Sequence, residues 1–278
     1  MLHLPLAMTR IGILHRPHIA RAEALAYSIQ SRLTELGVAS WTGSAWNETQ
    51  ATEHLHDTDL LVGIGGDGTI LHCARISAKS GIPVFGVKLG QLGFITECTE
   101  SEALILLPRV VNGEGWSEER AMLSVTLHGE EMLALNDAVV RCTAVRLIDI
   151  TLEVGQQQVT NYRADGVIIA SATGSTAYSL AAGGPVLMPE STNMVVQPIC
   201  SHLGLRHAIV LPGQSSIALS ANRHDGVVLS LDGQIERPLS RGEPVSVTIS
   251  EHKAHFLRLR PRSYFLRSLH EKLGGTYT

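Results

Sequence analysis

The sequence predicts an α/β N-terminal domain built on a doubly wound parallel sheet, followed by a β-rich second domain. Two patterns support this fold class. In the first part of the chain, short apolar runs alternate with stretches whose apolar residues recur every three or four positions, which is typical of a parallel α/β layer. From about Met122 onward, apolar and polar residues alternate within short runs that turn signals separate, which is typical of antiparallel sheets.

The first domain begins with an apolar strand and an amphipathic helix. Residues 20–36 place apolar side chains at intervals of three and four, and Gly37 then ends the helix. Further apolar runs predict buried strands on both sides of a glycine-rich segment. In chain order, the predicted elements are a strand at 10–14, a helix at 20–36, a strand at 59–64, a helix at about 70–79 and a strand at 82–87.

The second domain is predicted from alternating strands and the turns between them. Its strands are expected at 122–127, 146–154, 227–231 and 245–249, with turn signals at 154–156 and 232–234. The stretch at 112–115 predicts the boundary, so one domain comprises residues 1–115 with 263–278 and the other residues 116–262. The segment at 263–273 predicts a C-terminal helix that packs back on the first domain.

Composition excludes several function classes. Of the 278 residues 44% are hydrophobic and 17% charged, and the net charge of −4 argues against binding a nucleic-acid backbone. No run approaches the roughly 18 apolar residues of a membrane span, and the first ten residues lack the charged start of a signal peptide. We therefore expect a cytoplasmic protein that binds neither nucleic acid nor membrane.

The cysteines and histidines predict no metal site. The thirteen histidines include no HExxH motif, and the four cysteines form no CxxC pair. These cysteines are Cys73, Cys98, Cys142 and Cys200. Such scattered cysteines favour isolated, reduced thiols over a disulfide framework.

The first chemical motif is the GGDGT segment at residues 65–69, between a predicted strand and a predicted helix. Its glycines let the backbone approach a ligand, and amides at a helix N-terminus favour phosphate. Asp67 suits this loop if it binds Mg²⁺ or accepts a proton from an attacking hydroxyl. A tight turn with Asp67 near the helix cap is an equal alternative on this loop alone. The segment lacks a Walker A lysine and a GxGxxG motif.

The second motif surrounds a buried strand at 167–170. Thr, Gly and Ser at 173–176 offer hydroxyls and amides to phosphate or ribose oxygens, and Tyr178 offers a flat face to a base. Gly183 and Gly184 permit another close approach. A polar loop ahead of a helix is the alternative, but the density of small polar residues favours a binding function.

Together these motifs resemble the NAD kinases. GGDGT is shared with diacylglycerol and sphingosine kinases and with related phosphofructokinases, whereas DGxxxxxxTGSTAYxxxxGGP at 165–185 narrows the resemblance. The resemblance covers most of the chain, because GVKLGQLGF at 86–94, LND at 135–137 and DGQ at 232–234 also fit that family.

The resemblance implies a phosphotransferase that moves the terminal phosphoryl group of ATP, or of polyphosphate, to the 2′-hydroxyl of NAD's adenosine ribose. It implies Mg²⁺ bound with ATP, no tightly bound metal on protein ligands, and a homodimer or homotetramer. Asp67 matches the catalytic aspartate. The implied NAD contacts are Asp67, Gly68, His72, Asn136, Asp137, Arg146, Arg163, Asp165, Thr176, Ala177, Tyr178, Ser179, Leu180, Ala181 and Gln234. The implied ATP phosphate contacts are Gly65, Gly66, Gly68, Thr69, Thr173, Gly174 and Ser175.

Within this set, Asn136 and Asp137 are implied to hold the ribose hydroxyls, and Asp165, near Arg163, the nicotinamide end. Residues 176–181 are implied to line the adenine and ribose pocket. Several positions also have ordinary structural explanations. These are a plain turn for Asn136-Asp137, a hairpin loop for Gln234, a solvated strand side chain for Arg146, a surface position for His72, and a mutual ion pair for Arg163 and Asp165.

The chain departs from the family pattern in three places. Ala181 stands where serine is usual, Ser171-Ala172 where Thr-Pro is usual, and Lys88 where asparagine is commoner. These departures bear on affinity and on the choice of phosphoryl donor. Two other functions remain open from the residues: a lipid kinase of the GGDGT group, and a nucleotide sensor that binds NAD without turnover.

Overall fold

The computed structural model describes residues 7–144, 146–223 and 226–273, without the side chain of Arg223. The chain forms two compact units. The first unit contains the chain up to Glu119 and again from Ala254 onward, and the second unit contains Arg120–Lys253. The chain passes from one unit to the other within two long strands, at 116–127 and 244–258. The predicted boundaries lie outside these strands, one just before the first strand, after residue 115, and the other four residues past the end of the second, after residue 262.

The described residues form seventeen strands, six α-helices and two short 3₁₀ turns. The strands are β1 Arg10–His15, β2 Ala39–Ser44, β3 Leu60–Gly65, β4 Val84–Lys88, β5 Cys98–Thr99, β6 Trp116–Leu127, β7 Glu130–Ala134, β8 Asp137–Cys142, β9 Ile148–Val154, β10 Gln157–Ala164, β11 Gly166–Ala170, β12 Met194–Ile199, β13 Ile209–Leu211, β14 Ile217–Arg223, β15 Val227–Leu231, β16 Ile235–Leu239 and β17 Pro244–Arg258. The α-helices are α1 Ala20–Glu35, α2 Glu48–Glu53, α3 Asp67–Ala78, α4 Glu100–Val111, α5 Tyr178–Ala181 and α6 Tyr264–Leu273.

The first unit is built on a parallel sheet with strand order β2-β1-β3-β4. Beyond β4 lie β5 and the last part of β17, where Phe256 pairs with Val84 in parallel. In this register Gly65, at the end of β3, lies beside Lys88, at the end of β4. The carboxyl ends of two central strands therefore meet at the GGDGT segment, where α/β sheets commonly bind ligands.

Helices cover both faces of this sheet. Side chains of α1 and α4, such as Ile29 and Leu107, share one core with Val62 of β3. On the opposite face, a Cβ at Gly63 would lie 2.9 Å from atoms of Ile70 and Cys73 in α3. Because alternate residues of a strand point to opposite faces, these contacts require helices on both sides. The predicted doubly wound α/β domain is confirmed.

The two ends of this unit also fold as predicted. Helix α1 buries Ala22, Ala26, Ile29 and Leu33, and Gly37 follows it with φ +74°, as expected for a helix-ending glycine. The C-terminal helix α6 packs Phe265 against Phe94, with ring centroids 6.1 Å apart. The predicted return of this helix to the first domain is confirmed.

The second unit is β-rich, as predicted. One antiparallel sheet has the order β13-β12-β11-β8-β15-β16, and β10, β9, β14 and the first part of β17 pair in antiparallel fashion in another. Leu152, Val167, Leu229 and Val247 belong to one apolar core that these strands share. This core fixes the sheet that carries β8, β11 and β15, from which the site residues of this unit project.

Arg146 does not belong to a strand. The predicted strand at 146–154 begins only at Ile148, and Arg146 is an exposed residue before it. The backbone N–H of Arg146 donates to the carbonyl of Ala144 at 2.8 Å, a tight turn that cannot continue a strand. Within the described ranges, no helix is long and apolar enough to cross a membrane.

Candidate active site

The GGDGT segment of the first unit joins β3 directly to α3. Gly66 is the N-cap of α3 and Asp67 its first residue, so the carboxylate lies at the positive end of the helix dipole. A Cβ at Gly65 would lie 2.1 Å from the hydroxyl of Thr69, so only glycine fits at that position. Thr69 itself is 1% exposed. The exposed part of this loop is therefore its backbone at 66–68 and the side chain of Asp67.

Asp67 is held from the neighbouring strand. Lys88 Nζ donates to Asp67 Oδ1 at 2.7 Å, with side-chain exposures of 17% for the lysine and 46% for the aspartate. A Cβ at Gly93 would lie 2.1 Å from the same oxygen, so the segment after β4 also packs against the carboxylate. Asp67 thus has one oxygen fixed by a cation and a side chain that remains about half open to solvent.

His72, one turn further along α3, is buried rather than on the surface. It is 7% exposed, and its ring packs on Trp46 with centroids 4.2 Å apart. Its Nδ1 lies 3.4 Å from Glu48, whose carboxylate also accepts a hydrogen bond from Arg75 at 2.7 Å. The hydrogen bond with His72 is the main cause that lowers the pKa of Glu48 to about 2, assisted by Arg75 and opposed by burial. His72 therefore links α3 to α2, and the surface explanation was wrong.

The second unit contains a cavity of about 370 Å³ beside the Asn136-Asp137 pair. Its lining residues are Asn136, Asp137, Val139, Arg141, Ala177, Tyr178, Ser230, Asp232, Gly233 and Glu236. They come from β8 and the residue before it, from β15, β16 and the hairpin between them, and from the start of α5. The cavity therefore brings together the LND, TGSTAY and DGQ motifs, which are far apart in sequence.

Asp232 fixes the backbone of this cavity. Its carboxylate accepts hydrogen bonds from the backbone N–H groups of Leu135, Asn136 and Asp137 at 3.0, 2.7 and 3.1 Å. Asp232 and Gly233 both have positive φ, at 52° and 65°, as the tight hairpin requires. Asn136 therefore lies in a bend and Asp137 begins β8, so the pair is not an ordinary turn but a segment anchored to the hairpin of Asp232.

Asp137 is the unusual acid of this unit. It is 5% exposed, and no described residue is recorded as a hydrogen-bond partner of its carboxyl group. Burial, and next the negative charge of Asp232, raise the pKa of Asp137 from 3.8 to about 7. A carboxyl group in this state has hydrogen-bonding capacity to offer a ligand that enters the cavity.

The TGST segment packs tightly behind the Asn136 bend. A Cβ at Gly174 would lie 1.9 Å from the carbonyl oxygen of Asn136, so glycine is required for this approach. The hydroxyl of Ser171 donates to the carbonyl of Leu135 and accepts from the N–H of Gly174. Ser171, a departure from the usual Thr-Pro, thus fastens the loop through its hydroxyl.

The candidate phosphate residues of this loop are buried. The hydroxyl of Ser175 donates to Ala172 at 2.6 Å and accepts from the N–H of Leu187 at 2.9 Å. Thr173 is 3% exposed and lies 3.4 Å from Arg120. The described contacts of both side chains are with the protein, and their predicted role toward ATP stays a prediction.

The segment from Thr176 to Ala181 is divided between surface and interior. Ala177 and Tyr178 line the cavity, and Tyr178 is 44% exposed. Ser179 is fully buried, and a Cβ at Gly184 would lie 2.4 Å from its hydroxyl. The hydroxyl of Thr176 donates to the carbonyl of Thr173 at 3.0 Å, Leu180 is partly buried and Ala181 is exposed.

Besides residues 176 and 179–181, four candidate NAD contacts of this unit lie outside the cavity lining: Arg146, Arg163, Asp165 and Gln234. Arg163 and Asp165 are exposed at and after the end of β10. Among the ion pairs of the described residues, none joins Arg163 to Asp165. Gln234 closes the hairpin, since its N–H donates to Leu231 at 2.9 Å. The cavity alone therefore does not bring these residues to the Asn136 bend.

Comparisons with known proteins decide the family. Residues 13–115 match the model of the ATP-NAD kinase N-terminal domain, and residues 135–259 match that of the ATP-NAD kinase C-terminal domain. An NAD kinase of Dehalococcoides mccartyi is 38% identical over 273 residues, which are 96% of each chain. This chain belongs to the ATP-NAD kinase family. It is a phosphotransferase with an alcohol group as acceptor, which decides against the lipid kinases.

Solved structures of NAD kinases agree with this assignment. The NAD kinase of Archaeoglobus fulgidus, solved with ATP, has a TM-score of 0.76 and 25% identity, and covers 94% of this chain and 98% of its own. A yeast NADH kinase solved with NADH has a TM-score of 0.85 at 23% identity, covering 98% of this chain and 89% of its own, and shares the fold. Both units of this chain thus have NAD kinase counterparts.

Two features of this NAD kinase-family chain escaped sequence reasoning. Asp232 was recognised only as a hairpin residue, although an Asp before a positive-φ glycine is also a good acceptor for nearby amides. Arg141 and Glu236, which form a 2.6 Å ion pair in the cavity lining, had no signal beyond strand alternation. Long-range strand pairing between β8 and β15 brings all three to the cavity.

The described residues contain no group of three or more His, Cys, Asp or Glu side chains arranged for a metal ion. The one acid of the GGDGT segment already pairs with Lys88. This donor set does not fit a metal held by protein ligands alone, because Mg²⁺ needs several oxygen ligands. A triphosphate would supply the oxygens that the protein lacks.

Proposed function

We propose that this chain transfers the terminal phosphoryl group of ATP to the 2′-hydroxyl of NAD's adenosine ribose, with Asp67 as the catalytic carboxylate. The observation that carries the proposal is Asp67 itself, fixed by Lys88 at 2.7 Å and still about half exposed at the start of α3. A carboxylate so held can accept the proton of a hydroxyl group without rearranging first.

The reaction balances through these groups. The 2′-oxygen forms a bond to the γ-phosphorus as the bond between that phosphorus and the β,γ-bridging oxygen breaks. The proton of the 2′-hydroxyl passes to Asp67, and ADP carries the electron pair of the broken bond. Positioning and charge neutralisation supply most of the acceleration in phosphoryl transfer.

We assign the acceptor's ribose to the cavity of the second unit. Asp137 has an open acceptor site, and Asn136 is partly exposed beside it. Ribose carries two adjacent hydroxyl donors, which suit a carboxylate and an amide oxygen. The exposed Tyr178 suits the adenine ring next to that ribose. Gly68, His72, Arg146, Arg163, Asp165, residues 179–181 and Gln234 remain predicted contacts of NAD.

We assign the donor's phosphates to the GGDGT segment of the first unit. Its exposed backbone at 66–68 lies at the start of α3, where the helix dipole favours anions. Mg²⁺ would arrive on the triphosphate and neutralise part of its charge. Polyphosphate would present the same phosphate groups to this loop. Experiment must therefore decide whether ATP or polyphosphate is the phosphoryl donor.

The decisive experiment incubates the purified protein with NAD, ATP and Mg²⁺ and measures NADP with an NADP-specific dehydrogenase. We expect NADP only when all three are present, and far less of it from Asp67→Asn. Parallel reactions with NADH and with polyphosphate define acceptor and donor. NAD binding without any NADP from either donor would reject the proposal and favour a sensor that binds NAD without turnover.

The cytoplasmic location and the homodimer or homotetramer also stay predictions. Cell fractionation can test the location, and light scattering can test the oligomeric state.

A further inference from the structure

Two lysines approach the carboxylate of Asp67 within the first unit. Lys88 comes from the end of β4 and contacts Oδ1 directly. Lys272 comes from α6, where it donates to the carbonyl of Leu92 and lies 4.6 Å from the ring centroid of Phe94. Burial lowers the pKa of Lys272, while the charge of Asp67 raises it and that of Lys88 lowers it. All three charges therefore act on one another.

The backbone around this group is closely packed. Leu89 N–H donates to the carbonyl of Gly65 at 3.0 Å, so the chain after Lys88 is tied to the GGDGT segment. Gly93 faces the carboxylate of Asp67 with no room for a side chain. Lys88 thus has a defined position beside the loop, unlike a lysine that merely extends into solvent.

A donor phosphate at this loop needs more positive charge than the backbone provides. A helix N-terminus carries only roughly half an elementary charge. Asp67 contributes a full negative charge at the same place, which repels a triphosphate. Full cations near Asp67 would remove this conflict. Lys88 pairs with Asp67 directly, and Lys272 contacts Leu92 and Phe94, the two neighbours of the Gly93 that packs against Asp67.

A lysine ammonium group has three N–H donors. The contact with Asp67 Oδ1 uses one of them, and the side chain of Lys88 keeps 17% of its surface exposed. One ammonium group can therefore hold the carboxylate with one donor and an anionic ligand with another. Such a bridge would set the proton acceptor and the transferring group side by side.

We propose that Lys88 binds the transferring phosphoryl group of the donor while it holds Asp67, and that Lys272 supplies a second positive charge to the same phosphates. This inference rests on the proposed function and extends it to two donor-binding residues. It gives the departure from asparagine at position 88 a role in binding the donor's phosphates.

The test compares Lys88→Met with Lys79→Met as a matched control. Lys79 is an exposed lysine at the opposite end of α3. Calorimetry measures binding of inorganic tripolyphosphate, of AMP and of NAD to each protein, and steady-state kinetics give KM for ATP and for NAD. For Lys88→Met we expect roughly 10-fold or greater loss of tripolyphosphate affinity and a similar rise in KM for ATP. Affinity for AMP and NAD should change much less than affinity for tripolyphosphate.

Further variants keep the test decisive. Lys88→Arg retains the charge and should preserve most of the tripolyphosphate affinity, and Lys272→Gln should lose a smaller part of it. If Lys88→Met fails to fold, a folded Lys272→Gln and Lys88→Arg carry the comparison. An active wild type whose folded Lys88→Met variant binds tripolyphosphate and uses ATP like Lys79→Met overturns this inference alone. A wild type that forms no NADP overturns the proposed function instead.

Discussion

The two units hold their candidate site acids in opposite surroundings. In the first unit, Asp67 is 46% exposed and pairs with a cation, Lys88. In the second unit, Asp137 is 5% exposed, and its charged neighbour is another acid, Asp232. Solvent and an opposite charge stabilise a carboxylate, whereas burial and a like charge oppose it. One residue type therefore occurs in two opposite environments, and burial beside a like charge brings the pKa of Asp137 to about 7.

Asp232 shows a third environment, in which the carboxylate supports the backbone of the protein. Three backbone N–H groups surround it, so it fixes the segment that carries Asn136 and Asp137. A carboxylate that accepts several amides is strongly bound in its charged form. The groups around an aspartate, rather than its position in a motif, decide whether it takes part in chemistry, binds a ligand or stabilises the backbone. Four experiments separate these roles.

The largest effect should come from Asp67→Asn. The substitution keeps the size of the side chain but removes the proton acceptor, so we expect turnover to fall roughly 10²- to 10⁴-fold. Stability should change little, because an ion pair this exposed contributes little to folding. NADP formation and thermal unfolding measure the two effects. Wild-type turnover in the folded variant would remove Asp67 from the mechanism.

The second largest effect should be the pH dependence that Asp137 gives to the free energy of unfolding. Its pKa in the folded chain, about 7, lies above the ordinary 3.8. The protonated group therefore contributes stability below pH 3.8, and this contribution is lost as the pH rises through 7. The loss amounts to about 4 kcal/mol at most, from about 1.36 kcal/mol per pKa unit.

Asp137→Asn should remove this pH dependence. Urea unfolding between pH 5 and 9 should show a smaller decline for the variant than for the wild type. NAD affinity of the wild type should rise over the same interval, because the ionised carboxylate accepts ribose hydroxyls better. Identical pH profiles for both proteins would show that Asp137 titrates in the ordinary range.

Asp232→Asn should have an intermediate effect on stability and sharpen the comparison of the two acids. The variant loses a charged acceptor for three amides, and we expect a loss of about 2–3 kcal/mol in the free energy of unfolding. It also removes the like charge, so the pKa of Asp137 should fall. A variant with wild-type stability and an unchanged pKa of Asp137 would deny Asp232 both roles.

The smallest effect should come from Ala181→Ser, which restores the hydroxyl that the family usually has. Ala181 is exposed at the end of α5, so stability should stay within about 0.5 kcal/mol. We expect KM for NAD to change less than roughly threefold, the equivalent of one weak hydrogen bond. A tenfold decrease in KM would instead mark position 181 as a direct contact.

The sequence was a good guide to the fold where periodicity is strong. Helix α1 and strands β3 and β15 lie within a residue of their predicted limits. Strands β6 and β17 extend well beyond the predicted runs, because their ends pair with partners far away in sequence. Arg146 fell outside its strand for a local reason, the turn at Ala144, which apolar alternation does not reveal.

The candidate site was predictable as a set of motifs but not as a set of contacts. GGDGT and TGSTAY were recognisable from their composition, whereas LND was identified only through the family resemblance. The burial of His72 depends on Trp46 and Glu48, and the support from Asp232 depends on the pairing of distant strands. Single-sequence periodicity carries no information on which elements meet, so these partners needed the folded chain.

The division of the first unit into two chain segments has a consequence for synthesis. Phe256 and Leu257 are fully buried in the first unit, and Phe256 pairs with Val84 of its sheet. During translation, all of Arg120–Lys253 leaves the ribosome before these residues do. The second unit can therefore complete its core while the first still lacks a strand, although the first unit's amino end was made earlier. A released chain truncated just after residue 253 would represent that half-finished state.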